Sequence, residues 1–296
     1  MPEIRDYNNV DYREFWKGKN RLYLNQIEQL LISRLYPPSC DTFVDIGCGF
    51  GRLAPHYLKL TKRAFLVDYS LDQLRQTRKQ YGDHPSAAAF VMADLAQLPF
   101  RDGMFDVAQS IRVLHHVKDL DSAFREFHRI LAPSAMLLVT YANKRNLLEL
   151  LRWVLRRPNK QPWAHTRTTV GELQFMSHPD YFEGIMDAHR LSIDKRYGVG
   201  YFDHEKVIQF VPAPVAIERV TSHVFGPTRL APLMLVRARN LKTGPPPRET
   251  GGDEPVSPFV CPKCKGGLQE PGETEMYCAT CRKAYSILDG IHDFRT

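Results

Sequence analysis

Thr42-Phe43-Val44-Asp45-Ile46-Gly47-Cys48-Gly49-Phe50-Gly51-Arg52 sets an apolar run against a turn with glycine at every second position. The apolar residues predict a buried strand, and the alternating glycines predict backbone bent closely around a ligand. A nicotinamide or flavin site needs the spacing G-x-G-x-x-G, whose third glycine lets helix and strand pack closely. Counted from Gly47 and Gly49, that third position is Arg52. No lysine follows the glycines either, so the phosphate-cradling loop G-x-x-x-x-G-K is excluded.

Outward from this turn, short β-rich runs alternate with helical patterns up to about Leu241. Strands are expected at Thr42–Ile46, Ala64–Asp68, Ala89–Ala93, Phe105–Ser110, Met136–Tyr141 and Leu233–Arg239. Amphipathic helices are expected at Leu71–Tyr81 and Leu120–Leu131. That alternation predicts an α/β fold with a doubly wound, Rossmann-like sheet. Ligands of such sheets bind beyond the carboxyl ends of the strands. The first expected strand ends at Asp45 and the glycine turn, the second at Asp68, and the third is followed by Asp94. Asp68 is placed to accept hydrogen bonds from a ribose diol, and Asp94 or its neighbouring amide to read an adenine edge. Acids and close backbone suit a nucleoside without phosphate, and a cationic adenosine sulfonium meets that description.

Hydrophobic content of 43% and charged content of 25% are those of an ordinary globular protein. No apolar run reaches membrane-spanning length, and Met1-Pro2-Glu3-Ile4-Arg5-Asp6 lacks the apolar core of a signal peptide, so a cytoplasmic protein is expected. The net charge of +7 is concentrated. Residues 144–167 carry seven bases and one acid, whereas residues 259–296 carry five of each. Lys242–Pro258, rich in proline, glycine and acid, reads as a linker.

The segments VDIGCGFGR, LVDYS, ADLAQLPFRDGMFDVAQSIRVLHHV and EFHRILAPSAMLLVTYAN resemble successive motifs of class I S-adenosylmethionine-dependent methyltransferases of the type 11 group. The resemblance runs from about Thr42 to Asn143 and implies the cofactor S-adenosylmethionine. It assigns cofactor contacts to Asp45, Gly47, Cys48, Gly49, Asp68, Tyr69, Asp94, Leu95 and Ser110. Where that family commonly has Pro-Gly-Gly before its fifth strand, this chain has Pro133-Ser134-Ala135.

Beyond the linker, Cys261-x-x-Cys264 and Cys278-x-x-Cys281 supply the four thiolates that close a tetrahedron around Zn²⁺. Disulfides or a redox pair are the competing reading. A structural zinc is expected, because so short a segment has too little core to fold without metal. CPKCKGGL and YCATCRKAYSILDGIHDF resemble the short zinc-ribbon proteins whose eukaryotic members activate tRNA, rRNA and release-factor methyltransferases by binding them. Tyr285-x-Ile287-x-Asp289-Gly290-Ile291 is the telling run, with His292 replacing the usual proline. This resemblance implies an activator fused in cis and docked on its own catalytic domain.

The expected organisation is therefore a methyltransferase domain at 1–241, a linker at 242–258 and a zinc ribbon at 259–296. The first contains an N-terminal lid at about 1–38, with Tyr7, Tyr12 and Trp16, and a basic substrate cap at about 144–225. Methyl transfer from a sulfonium asks for alignment and removal of an acceptor proton. Arg112, His115 and His116 are the candidates for that work. The basic segment leaves three readings open: an RNA-phosphate wall, a membrane-surface helix for a lipid or quinone, or a cap with solvated arginines. The expected function is methyl transfer to an unidentified small molecule, lipid or RNA. An RNA methyltransferase with its activator in cis and a non-catalytic cofactor-binding regulator are the alternatives.

Overall fold

The computed structural model describes residue 8 and residues 12–155, 161–171, 173–244, 257–270 and 272–295. In chain order the elements are α1 (Lys19–Ser33), β1 (Cys40–Ile46), α2 (Ala54–Tyr57), β2 (Thr61–Asp68), α3 (Leu71–Tyr81) and β3 (Ala87–Met92). There follow β4 (Phe105–Ser110), α4 (Leu120–Ile130), β5 (Leu131–Ala142), α5 (Leu147–Val154), β6 (Arg167–Thr169) and β7 (Phe175–Ser177). Then come α6 (Pro179–Ala188), β8 (Leu191–Val199), α7 (Glu205–Ile208), α8 (Pro214–Phe225) and β9 (Leu233–Asn240). The cysteine-bearing segment adds β10 (Glu275–Cys278), β11 (Lys283–Leu288) and β12 (Ile291–Asp293).

One sheet holds ten of these strands in the order β10-β11-β12-β3-β2-β1-β4-β5-β9-β8. From β3 to β5 all pairs are parallel, and β9 then runs antiparallel to β5. The strand order reverses on either side of β1, which makes the end of β1 the switch point where such sheets bind ligands. Both faces of β1 and β2 are covered, and Val44, Phe65, Leu66 and Val67 are at most 1% exposed. That two-sided burial is why these strands read as continuous apolar runs rather than alternating ones.

The helices start where short polar side chains can cap them. Ser70 accepts from the Gln73 amide at the start of α3, and Asp119 from the Ser122 amide at the start of α4. Ser134 adopts φ +61°, a left-handed conformation that suits glycine better. It stands at the middle of the turn where the resembled family has glycine. Across that turn Leu131 pairs with Phe105 and Met136 with Val107, so four residues of β5 bulge against one of β4.

The cysteine segment is not a separate bead. Its last strand, β12, pairs parallel to β3, with Ile291 opposite Phe90, His292 opposite Val91 and Asp293 opposite Met92. Asp289 and Gly290 form the two-residue turn between β11 and β12, both at positive φ (+52° and +71°). An Asp-Gly pair takes that conformation at least cost. A second tie joins Phe259 to Phe100 through an isolated bridge, with the Val260 N–H donating to the Pro99 carbonyl at 2.9 Å. Phe259, Met276, Tyr285 and Phe294 are buried in the same apolar cluster as Val44, Phe65 and Phe100. Lys265 adds an ion pair to Glu126 on α4 at 2.9 Å, and Arg75 on α3 one to Asp289 at 2.9 Å.

Candidate active site

A cavity of about 800 Å³ opens at the carboxyl ends of β1, β2 and β3. That lies within the range of small-molecule and cofactor pockets. The glycine turn is its floor. Gly47 and Cys48 donate their N–H groups to the Val67 carbonyl at 2.8 and 2.9 Å, which pins the turn to the end of β2. Gly47 lies at φ +79°, and a Cβ there would meet the Val113 Cγ2 at 2.1 Å. Nothing larger than glycine fits.

Four carboxylates line this space, Asp45, Asp68 and Asp94 at the strand ends and Asp119 at the start of α4. Asp68 accepts from the Gly49 N–H at 2.8 Å through Oδ2 and from the Ser70 N–H at 2.9 Å through Oδ1. Asp94 caps the 3-10 turn Leu95–Gln97 by accepting from the Ala96 N–H at 2.9 Å. Asp45 is 2% exposed, and burial pushes its carboxyl up to about 7 against the pull of Gln109, Tyr57 and Arg52. A carboxylate has about four acceptor positions, and Asp68, which lines the cavity, is the kind of group that accepts from ribose hydroxyls. The donor set thus suits a cationic nucleoside with a free ribose.

Of the cofactor contacts expected from sequence, Asp45, Gly47, Cys48, Gly49, Asp68, Tyr69, Asp94 and Leu95 line the cavity. Ser110 does not. Its hydroxyl donates to the Ile46 carbonyl at 3.0 Å, and the side chain is fully buried between β1 and β4.

The three catalytic candidates separate. His116 lines the cavity, with Nδ1 at 2.7 Å from the Leu173 carbonyl. A carbonyl only accepts, so Nδ1 carries the proton and Nε2 is the ring's acceptor. The His115 ring lies 4.0 Å from that of His116, tilted at 46°, but does not line the cavity. Arg112 lines the cavity, yet its Nε donates to Glu28 Oε1 at 2.7 Å while Arg52 Nη2 donates to Glu28 Oε2 at 3.0 Å. Trp16 covers both guanidinium groups, with ring centroids 5.2 and 4.1 Å away. Arg112 is therefore a wall element, locked by a buried acid.

Sequence reasoning missed Glu28. Its signal was present, because it falls among Tyr23, Leu24, Ile27, Leu31 and Ile32 on the buried stripe of α1. A lone acid on such a stripe needs a cation. Trp16, one of the three residues expected in a lid, lines the cavity and is 7% exposed. Asn8 reaches the same rim, where its Oδ1 accepts from the Ser70 hydroxyl at 2.8 Å. Tyr7 and the side chain of Tyr12 lie outside the described residues.

The hairpin β6–β7 packs against the 115–118 segment, of which His116, Val117 and Lys118 line the cavity. Arg167 donates to the carbonyls of Lys118 at 2.9 Å and Val117 at 2.8 Å, and the Phe175 N–H to that of His115 at 2.7 Å. Lys144 is 1% exposed and donates to Thr166 and Thr168, while Arg152 pairs with Glu149. Three of the seven bases of the 144–167 segment are therefore used inside the fold. Arg156, Arg157 and Lys160 lie outside the described residues.

In the C-terminal segment the four thiols of Cys261, Cys264, Cys278 and Cys281 lie within 4.8 Å of one another. Cys261 and Cys281 sulfurs are 3.9 Å apart, and those of Cys264 and Cys278 3.6 Å. Zinc–sulfur bonds of about 2.3 Å give tetrahedral edges of about 3.8 Å, whereas a disulfide needs about 2.05 Å. The cluster fits zinc, and the Tyr285 hydroxyl at 3.2 Å from the Cys261 sulfur supports it from outside. A second grouping, His165, His178 and Asp180, is spent on the fold. His178 Nδ1 accepts the Asp180 N–H at 3.2 Å as the cap of α6, and Arg229 holds Asp180 at 2.6 Å.

Residues 44–139 match the family model described as a methyltransferase domain, and residues 259–290 match that of the Trm112p-like protein. The first match falls on the sheet that carries the cavity and the second on the cysteine segment. It is 37% identical over 143 residues to the 2-phytyl-1,4-naphtoquinone methyltransferase of Nostoc punctiforme, covering 45% of this chain and 55% of that protein. It is 33% identical over 120 residues to the mitochondrial arginine-hydroxylase NDUFAF5 of Danio rerio, covering 40% of this chain and 35% of that one. These matches span about half or less of the relatives' own length. Its fold is shared with a chain from the complex between the Haloferax volcanii Trm112 methyltransferase activator and a protein assigned as a methyltransferase. That likeness has a TM-score of 0.53 at 15% identity and covers 78% of this chain and 92% of the other.

Proposed function

We propose that the protein is an S-adenosylmethionine-dependent methyltransferase whose zinc ribbon acts as an activator in cis. The observation that carries this reading is the row of Asp45, Asp68 and Asp94 at the ends of three adjacent parallel strands, around one cavity. The cofactor supplies an electrophilic methyl group, and the protein's part is to orient, to exclude water and to accept a proton. Asp68 holds the ribose hydroxyls, and the Asp45 carboxylate answers the ligand's positive charge. Trp16 forms part of the cavity wall, and the β6–β7 hairpin buttresses the 116–118 segment that forms another part. His116, through Nε2, is the group placed to take a proton from an acceptor.

The ribbon's part is structural. Residues 261, 264, 278 and 281 hold zinc with no open position, so the metal does not act on substrate. Arg295 donates to the Tyr69 carbonyl at 3.4 Å and lies 5.6 Å from the Tyr69 ring centroid. Tyr69 lines the cofactor cavity, so ribbon and cleft share a wall. The Haloferax complex supports this reading, because there an activator of the same family is described as a separate partner. The relatives' names point to dissimilar substrates, so the acceptor is left to experiment.

The test is twofold. Titration calorimetry should show S-adenosylmethionine binding at one site per chain, and elemental analysis one zinc per chain. Release of S-adenosylhomocysteine in the presence of cell extract, lost on His116→Ala, would support catalysis. Binding without release on any extract fraction would leave a regulator instead.

A further inference from the structure

Helix α5 carries its apolar stripe on the outside. Leu147, Leu151 and Val154, spaced as one face of a helix, are 59, 52 and 66% exposed, while Glu149 is buried at 4%. Leu148 and Leu155 widen the stripe, at 47 and 62% exposed. The N-terminal turn is firmly held, with Asn146 accepting from the Glu149 N–H and the Leu147 N–H donating to the Leu230 carbonyl at 2.9 Å. Among the described residues nothing covers this face. A helix face of five exposed apolar side chains marks a contact with something outside the chain.

We propose that this face docks on an anionic bilayer, bringing the mouth of the cofactor cleft to the lipid interface. Charge selects that occupant. Beyond Lys144, Arg152 and Arg167, which the fold uses, the segment 144–167 brings Arg145 and, directly after the helix in the sequence, Arg156, Arg157 and Lys160, against the single acid Glu149. Leucines flanked by arginine are the composition of helices that lie in a membrane surface. Trp153 and Trp163 stand at the rim, 44 and 47% exposed, edge to face at 5.9 Å. Arg145 lies over the Trp163 ring at 5.7 Å. Indole rings with cations beside them favour the headgroup layer. Position agrees, because α5 leaves the carboxyl end of β5, the end of the sheet at which the cavity opens.

RNA is the weaker occupant. A phosphate-reading wall presents its cations to solvent, yet Lys144, Arg152 and Arg167 are turned to partners within the fold and leucine faces out. A second copy meeting this face isologously would set two such basic segments against each other.

The test uses the full-length zinc-loaded protein and does not depend on methyl transfer. Flotation with phosphatidylcholine vesicles, with and without phosphatidylglycerol, should show about tenfold or more binding in favour of the anionic vesicles, weakened by salt. The variant Leu151→Gln/Val154→Gln should lose about tenfold or more of that binding, with its melting temperature and its calorimetric affinity for S-adenosylmethionine unchanged. Absence of flotation, or flotation untouched by the double variant, would overturn the proposal. So would a solution dimer that the variant splits, or RNA binding that the variant abolishes.

Discussion

Asp68 works in two directions at once. It fastens the glycine turn through the Gly49 amide and also lines the cavity. Asp68→Ala removes two ligand hydrogen bonds of about 1.5–3 kcal/mol each, so cofactor affinity should fall by about 100-fold or more. Calorimetry checks this, and wild-type affinity in the variant would remove the ribose assignment. Asp45 makes a pH prediction. Its carboxyl is raised to about 7, so the fold resists the charged form, and the ligand-free protein loses this contribution as pH rises through about 7. A cationic ligand prefers the charged form, so affinity should rise over the same window and binding near pH 7 should release a proton. Calorimetry in buffers of different ionisation enthalpy reads that proton, and Asp45→Asn should abolish the part due to this residue. These acids and glycines were legible in the sequence because a tight turn and a strand end dictate them locally. The Glu28 bridge to Arg52 and Arg112 was not, since its partners lie 24 and 84 residues away.

At the scale of elements, the six strands read from periodicity all form, and α3 spans the expected Leu71–Tyr81. Buried parallel strands and capped amphipathic helices announce themselves because one face or both must be apolar. Strand β8 escaped, because as the edge of the sheet it keeps Ser192, Asp194 and Lys195 exposed or half-exposed among its apolar positions. Helix α5 forms at Leu147–Val154 within the basic segment, but its outward-facing stripe was not legible, since periodicity gives a face and never its direction. Helix α8 carries a different oddity, Glu218 buried in its middle and accepting from the Gly200 N–H at 2.5 Å. Burial pushes this carboxyl up to about 7, against the pull of backbone N–H groups at residues 200–202. Its contribution is fully present below about 4.5, the ordinary carboxylate range, and is lost as pH rises through about 7. Glu218→Gln should therefore gain about 2–3 kcal/mol on the wild type between pH 5 and pH 8. Thermal melts of both proteins across that range test it. A stability gap that does not widen with pH would show the carboxyl is not the resisting group.

For the whole molecule, the ribbon was legible as a zinc-binding unit from its cysteine spacing, and docking was expected from resemblance. The mode of docking was not, because a three-residue strand such as Ile291–Asp293 carries no periodicity to read. Truncation after Leu241 strips β12 from β3 and uncovers Phe65 and Phe100, which Phe259 now packs against at 6.4 and 5.9 Å. The truncated chain should melt lower or aggregate, as an uncovered apolar sheet edge does. A truncation that stays soluble and melts like the full chain would refute the ribbon's structural role. Glu126 is a further joint. Burial alone would raise its carboxyl, but Arg129 and Lys265 hold it below the usual range, tying α4 to the ribbon.

The pairing of β12 with β3 also sets a timetable. On a ribosome adding roughly 5–20 residues per second, Phe90 emerges roughly 10–40 s before its partner Ile291, about 200 residues downstream. Throughout that interval the nascent sheet ends in a bare parallel edge, open to any strand that reaches it first. The sheet of residues 40–142 is thus born before its own cover, and residues 291–293 decide whether the edge is closed from within or by a stranger.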